Sequence, residues 1–436
     1  MSKIVDIAQP NLMRHMFPTY RVPRISLAEG SLPVEVPRQA WCIDSTLGQG
    51  VLALDQPDLH QATQLLTLLD RLDSQSGLLR RVEIRIEGEV GRDLLQLALQ
   101  RRGRQSRIEP TAVVAPSTDA IRSLDGLGLR EVGFDVPASD YQTHMGDAGS
   151  RTEQVRRLLG LMDICVERQI QPRLDLVDTT RADLDGYLFP LVETCLEHLA
   201  RHGSSQLRLR LCDTLGLGLP WPEAPVPRSV PRLLHTVRHA LGLQPAQLEF
   251  LGANDLGLAL ANSFAAILCG CGAVVCSVGG IGERGGIAPL ELMMIHLGGL
   301  VGADCDLTAV PLLLSTLEPL GLGLGNQYPL WGEEALTTSH LPTTRPLDQA
   351  GELLVPFDTG RLAGRAPRVV VRPQSGPAGI AHLIRHQLRI AEVQAEDEAV
   401  RAIHKWVARR GIKEIAWESI EAQVRERMPG LFDVTE

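Results

Sequence analysis

The chain has 436 residues, 44% of them hydrophobic, and a formal net charge of −9. The apolar fraction supports a large core and excludes a disordered chain, and the length points to one large domain with appendages. The acidic balance argues against nucleic acid as a partner, because neutralising phosphates takes a basic surface.

In chain order, residues 1–38 come first. They carry Pro10, Pro18, Pro23, Pro33 and Pro37, which forbid a long helix or a central strand, so an N-terminal extension draped on the body is expected. From Trp41 a rhythm begins. Short β-type runs fall at 41–45, 82–87, 109–114, 131–136, 172–177, 207–212, 247–251 and 273–278, with helix-period segments such as 151–170 and 183–201 between them. Eight strands alternating with helices over about 260 residues predict an α/β fold, a (β/α)8 TIM barrel at 39–300, with its site at the C-terminal strand ends. Residues 256–282 carry no charge and mimic a membrane span. Asn262, Ser263 and the Gly270-Cys271-Gly272 break divide them, so a buried helix followed by a buried strand is expected and no membrane partner.

After residue 301 the rhythm stops. Gly-rich 319–325 and proline-containing 342–368 lead to a helical pair, which gives a C-terminal α+β and helical appendage at 301–436. Val400, Ile403 and Val407 share one helical face, Gly411 is a candidate C-cap, and a second helix is expected over 415–428. A helix-turn-helix reading fails for want of a basic recognition face, which leaves a packing appendage.

Composition also bears on chemistry. The only lysines are Lys3, Lys405 and Lys413, so no Schiff base can form inside the barrel. Eight scattered cysteines and the lack of a basic-then-apolar leader suit a cytoplasmic location. Cys269, Cys271 and Cys276 form a C-x-C-x4-C cluster. Small thiols at a helix end and on a buried strand explain them better than a metal does.

The most informative run is residues 247–291, QLEFLGANDLGLALANSFAAILCGCGAVVCSVGGIGERGGIAPLE. It closely resembles the last third of the barrel in the homocitrate synthase and isopropylmalate synthase family. Those enzymes condense an acyl-CoA with a 2-oxo acid around a divalent metal. Cys212-Asp213-Thr214-Leu215-Gly216 resembles the family's Asp-Thr-Val-Gly strand end, and Arg173 through Arg181 its Arg-Phe-Ser-x-Glu-Asp-Ala-x-Arg strand. Ala138-Ser139-Asp140, Leu354 through Asp358 and Ser375-Gly376 are similar to other family segments. The resemblance implies a homodimer, or a heteromer with an active synthase, in which C-terminal segments reach over the partner's barrel.

The departures from the family form a pattern. Its Asp-Thr-Thr-Leu-Arg-Asp-Gly opening reads Asp44-Ser45-Thr46-Leu47-Gly48-Gln49-Gly50 here, so a catalytic Arg becomes Gly48 and a metal-binding Asp becomes Gln49. The His-x-His pair becomes Leu251 and Ala253, the closing Asn becomes Ile287, and the fifth-strand Glu becomes Val177. Leu, Ala and Ile offer no side-chain donor to an ion, so no metal and no other cofactor is expected. Arg173, Thr214, Asn254, Asp255, Glu283 and Arg284 survive; the resemblance assigns Thr214 to the substrate carboxylate, and Arg173 is the other candidate for it because its guanidinium offers a bidentate fork. His340 stands where the family has a catalytic histidine, though the local match is weak and a surface-loop histidine explains it better. Asp255 is expected to cap the helix that follows, and Glu283 and Arg284 to brace the loop after strand eight.

The Gly280-Ile281-Gly282-Glu283-Arg284-Gly285 stretch fits a dinucleotide fingerprint, but it follows the eighth strand rather than the first. Three functions remain: a non-catalytic homologue that binds a small carboxylate or 2-oxo acid, a metal-free variant of the chemistry, and an ordinary acyl-CoA:2-oxo acid acyltransferase. The first is expected.

Overall fold

The computed structural model describes residues 25–27, 30–32, 34–52, 57–145, 149–204, 206–339, 355–410 and 414–432. Eight parallel strands follow the order of the chain: β1 (Trp41–Asp44), β2 (Leu79–Arg85), β3 (Glu109–Val113), β4 (Glu131–Pro137), β5 (Gln171–Val177), β6 (Arg208–Asp213), β7 (Leu248–Gly252) and β8 (Ala273–Ser277). Each pairs with its sequence neighbour, and β8 pairs with both β7 and β1. The sheet is therefore closed, a (β/α)8 barrel as expected. A short antiparallel hairpin, Ile25–Leu27 with Gly30–Leu32, precedes it.

Helices follow the strands and bury their apolar stripes against them. In α1 (Leu59–Asp73) the buried positions Ala62, Leu65, Leu66, Leu69 and Leu72 recur at helical spacing. Asp58 and Gln61 form a capping box at its start. Helices α2 (Gly88–Arg101) and α3 (Thr118–Arg122) follow, and Ser150 and Glu153 repeat the capping box on α4 (Arg151–Glu167). The remaining barrel helices are α5 (Phe189–Arg201), α6 (Val230–Ala240), α7 (Ala259–Leu268) and α8 (Leu290–Val301). The uncharged stretch at 256–282 becomes α7 followed by β8. No described helix is long and apolar enough to cross a membrane.

The barrel's compact unit runs on to Gly323, beyond the boundary expected at 300. The reason is packing. Helix α9 (Val310–Leu317) buries Val310, Leu313, Leu314 and Leu317, and Arg71 on α1 bonds Asp306 at 2.9 Å and Thr308 at 2.7 Å just before it.

Residues from Leu324 onward belong to a separate compact unit. Its core gathers Val371, Ile380, Ile384, Val393, Ile415, Ile420 and Val424 from α10 (Pro377–Leu388), α12 (Trp417–Arg427) and adjoining loops. The predicted stripe of Val400, Ile403 and Val407 on α11 (Glu398–Val407) is fully buried in the same core. The apolar faces of this helical pair are thus covered within the unit and need no partner to cover them. Gly411 lies outside the described residues.

Candidate active-site mouth and lumen

Alternation along a strand sends every second side chain into the lumen. On β2 the inward set is Arg81, Glu83 and Arg85. On β4 it is Glu131, Gly133 and Asp135, and on β5 Arg173, Asp175 and Val177. Strand β6 adds Arg208, Arg210 and Cys212, and β7 Glu249 and Leu251. The lumen consequently divides in two. Trp41, Ile43, Cys212, Leu251, Ala273, Val275 and Ile287 form one apolar cluster. The other side is ionic.

The ionic side is balanced. Arg173 donates to Glu83 at 2.6 Å, to Asp175 at 2.7 Å and to Glu131 at 3.2 Å. Arg210 lies 2.6 Å from Glu83 and 2.9 Å from Glu249. Arg81 and Arg208 each reach Glu131 at 2.6 Å. Arg81 also sits over the Trp41 ring, 4.9 Å from its centroid, and so joins the ionic and apolar sides. Burial works against every one of these charges. The guanidiniums of Arg210 and Arg173 nevertheless bring Glu83 down to about 2, and Asp175, Glu83 and Glu249 hold Arg173 well above the ordinary arginine value. Gly133 makes this possible, because a Cβ there would collide with the Arg173 guanidinium.

At the mouth, loops from several strands lock together. The first loop stacks on the eighth, since a Cβ on Gly50 would lie 2.9 Å from Ile281. Gly216, with φ +63°, lets the loop after β6 pass the Ala253 carbonyl. Asp178 adopts a left-handed conformation at φ 67°, donates its backbone N–H to Thr214 Oγ1 at 2.9 Å, and accepts from Ser139 and Arg181. One residue thereby ties the ends of β4, β5 and β6. Arg284 does the same for later loops, reaching Asp255 at 2.8 Å and the Thr214 carbonyl at 2.5 Å. This is the bracing expected of Arg284. Asp255, expected to cap α7, is engaged by Arg284 instead, and Asn254 Oδ1 accepts from the Ala259 amide at 3.3 Å.

Two carboxyls near the mouth stand outside the balanced lattice. Asp44, at the end of β1, is pushed up to about 7 by burial, although the Thr46 hydroxyl and amide both donate to it. Asp135 is pushed up to about 6 by burial and by the Asp175 charge.

The sequence-derived site residues separate accordingly. Thr214 stands at the mouth, with its hydroxyl oxygen accepting from Asp178. Arg173 does not join it. It lies mid-strand, fully buried, with its fork already bonded to three carboxylates. The expectation that Arg173 offers a fork to a substrate carboxylate is corrected on that ground. His340 lies outside the described residues. Asp44, Arg85 and Asp135 were missed, yet their signal was present: charged residues near the C-terminal ends of β-type runs.

Leu251 and Ile287 are buried in the apolar cluster, and Ala253 pairs with Ile287 through a backbone bridge. The Gln49 backbone amide donates to Ser45 Oγ at 3.0 Å. Ser45 in turn donates to Glu83 at 2.8 Å, and Gly48 packs so close that a Cβ there would strike Ser45. These residues do not fit a divalent ion. Among the described residues, clusters of three metal-ligating side chains occur on the outer surface instead, at Glu35, His235 and His239 and at Asp163, His198 and His202. All eight cysteines are buried and free, and Cys271 donates to the backbone carbonyls of Leu248 and Ala273.

A closed parallel barrel with its loops gathered at the C-terminal mouth defines the class as a (β/α)8 TIM barrel. The chain belongs to the HMGL-like family, whose profile matches residues 86–313. It is 30% identical over 427 residues to the 2-phosphinomethylmalate synthase of Streptomyces hygroscopicus, spanning 96% of both chains. It is 27% identical over 437 residues to the citrate (Re)-synthase of Syntrophus aciditrophicus, covering 98% of this chain and 69% of that one. Both of these relatives are synthases. Among solved structures, hydroxymethylglutaryl-CoA lyase from Pseudomonas aeruginosa shares the fold, with a TM-score of 0.50, 20% identity, and coverage of 67% of this chain and 95% of that one.

Proposed function

We propose that this protein is a synthase-type barrel that no longer uses a metal and binds a small carboxylate or 2-oxo acid at its mouth without condensing it. One observation carries this reading. The positions Leu251, Ala253 and Ile287, where the resembled synthases place metal ligands, are apolar, buried and packed together. A Lewis acid that polarises a 2-oxo group needs several converging donors, and these side chains supply none. Thr214 remains at the mouth as a polar contact for the ligand, and the apolar patch around Leu251 receives its alkyl end.

A second reading, metal-free condensation, is favoured by the likeness to the 2-phosphinomethylmalate synthase along nearly the whole chain. The raised values of Asp44 and Asp135 add to it, since carboxyls poised near neutrality suit proton transfer.

A CoA-release assay separates the readings. Purified protein is given acetyl-CoA with pyruvate, 2-oxoglutarate, 2-oxoisovalerate or oxaloacetate, with and without Mg²⁺, Mn²⁺ and Zn²⁺. Calorimetry of the same acids runs alongside. The proposal expects binding without CoA release. Release that is independent of metal supports the second reading, and release that requires a metal overturns both.

A further inference from the structure

Five lumen-facing arginines line β2, β5 and β6, and four of them are neutralised. Arg81, Arg173, Arg208 and Arg210 each have a carboxylate at 2.6 Å. Arg85 does not. Its only ion-pair partner among the described residues is Glu87, at 3.7 Å, and Glu87 is itself largely exposed. The Arg85 Nε is buried and has no hydrogen-bond partner among the described residues. A guanidinium left in that state is costly unless an acceptor arrives.

Position explains why Arg85 has no closer ion-pair partner among the described residues. Arg85 is the last residue of β2, and its amide donates to the Leu47 carbonyl in the first mouth loop at 3.1 Å. Of the four lattice carboxylates, Glu83, Glu131 and Glu249 lie earlier along their strands, and none of the four forms an ion pair with Arg85 among the described residues. Asp135, on β4 at the same end, is close enough to feel the Arg85 charge but forms no ion pair with it among the described residues. The arrangement leaves a cation and an unpaired carboxyl facing one region of the mouth.

Given a carboxylate-binding mouth, as proposed above, we infer that Arg85 is its anion anchor. Arg85 takes the carboxylate of a small 2-oxo acid or dicarboxylate, and Asp135, in its protonated form, donates a hydrogen bond to a second oxygen of the ligand. The groups that set the state of Asp135 are Asp175 on β5, Glu83 and Arg85 on β2, and Arg210 on β6. Burial and the two carboxylates already favour its neutral form. A bound anion adds another negative charge and favours it further, so binding takes up a proton.

The test is calorimetric titration of pyruvate, 2-oxoglutarate and oxaloacetate into full-length wild type, Arg85→Gln, Arg85→Lys and Asp135→Asn. Titrations run at pH 7 in buffers of different ionisation enthalpy, so that proton uptake is read directly. Arg85→Gln should weaken binding roughly ten- to a hundredfold. It should keep the wild-type melting temperature, because no lattice carboxylate loses a close partner. Asp135→Asn should abolish the proton uptake. If Arg85→Gln does not fold, Arg85→Lys decides: it keeps the charge and loses the planar fork, so affinity should fall several-fold. If wild type binds an acid and the folded Arg85 variants bind it equally well, the inference fails and the carboxylate-binding reading stands. If wild type binds none of the acids, both fall together.

Discussion

At the scale of single residues, the lumen is governed by what burial does to charge. Asp44 is fully buried and its value rises from 3.8 to about 7. A carboxyl raised in the folded state binds its proton more tightly there than in the unfolded chain, so stability is greatest below the unfolded value and declines as pH rises through the folded one. The window is therefore from about pH 4 to about pH 7. Asp44→Asn removes the titration. Its stability relative to wild type should grow between pH 5 and pH 8, by up to a few kcal/mol. Urea denaturation of both proteins at the two pH values checks this, and a gap that shrinks with pH refutes it. Gly133 offers a second check. A methyl group there has no space beside the Arg173 guanidinium. Gly133→Ala should cost about 2–4 kcal/mol through a disturbed buried ion pair, read as a lower urea midpoint. A neutral effect would mean that the lattice is looser than its distances indicate.

Among elements, the C-terminal helices show how an apolar stripe finds its cover. The family resemblance implies that C-terminal segments reach over a partner's barrel. The stripe on α11 is itself fully buried against α10 and α12 within its own unit. Ile403→Ala should cost about 2–5 kcal/mol in the stability of that unit by leaving a cavity. Trp406 and Trp417 pack on the same core, so tryptophan fluorescence during urea unfolding should report the loss. The mass measured by light scattering should not change. A halved mass would restore the interface role that the helix pair does not otherwise need.

For the whole molecule, the lumen's division into apolar and ionic sides sets what the barrel can hold. A barrel closed by eight strands fills its interior with side chains, and here four guanidiniums and four carboxylates neutralise one another below the mouth. A ligand consequently meets the mouth alone. Pairing with a second copy, or with an active synthase, remains a proposal from the family resemblance. It would use a surface other than the α11 stripe. Light scattering at micromolar concentration, alone and with a cognate synthase, tests it, and a monomer in both samples rules it out.

The barrel was legible from sequence because its signals are local. β-type runs between helical periods fix element type, and Gly, Pro and cap residues fix their ends. The start of β2 was missed by three residues, since Leu79-Arg80-Arg81 does not read as a buried strand until Arg81 is seen paired with Glu131 and Glu249. That Leu251, Ala253 and Ile287 offer no side-chain donor in any fold is likewise read from the sequence. What sequence could not decide was which arginine is engaged. Arg173 and Arg85 have the same chemistry and both lie on barrel strands. One sits mid-lumen among three carboxylates, and the other stands at a strand end with its Nε unpartnered. That difference depends on carboxylates brought in from strands up to 90 residues away in the chain. Only closure of the barrel places them, because electrostatic pairing is a property of distance in space rather than of position in sequence.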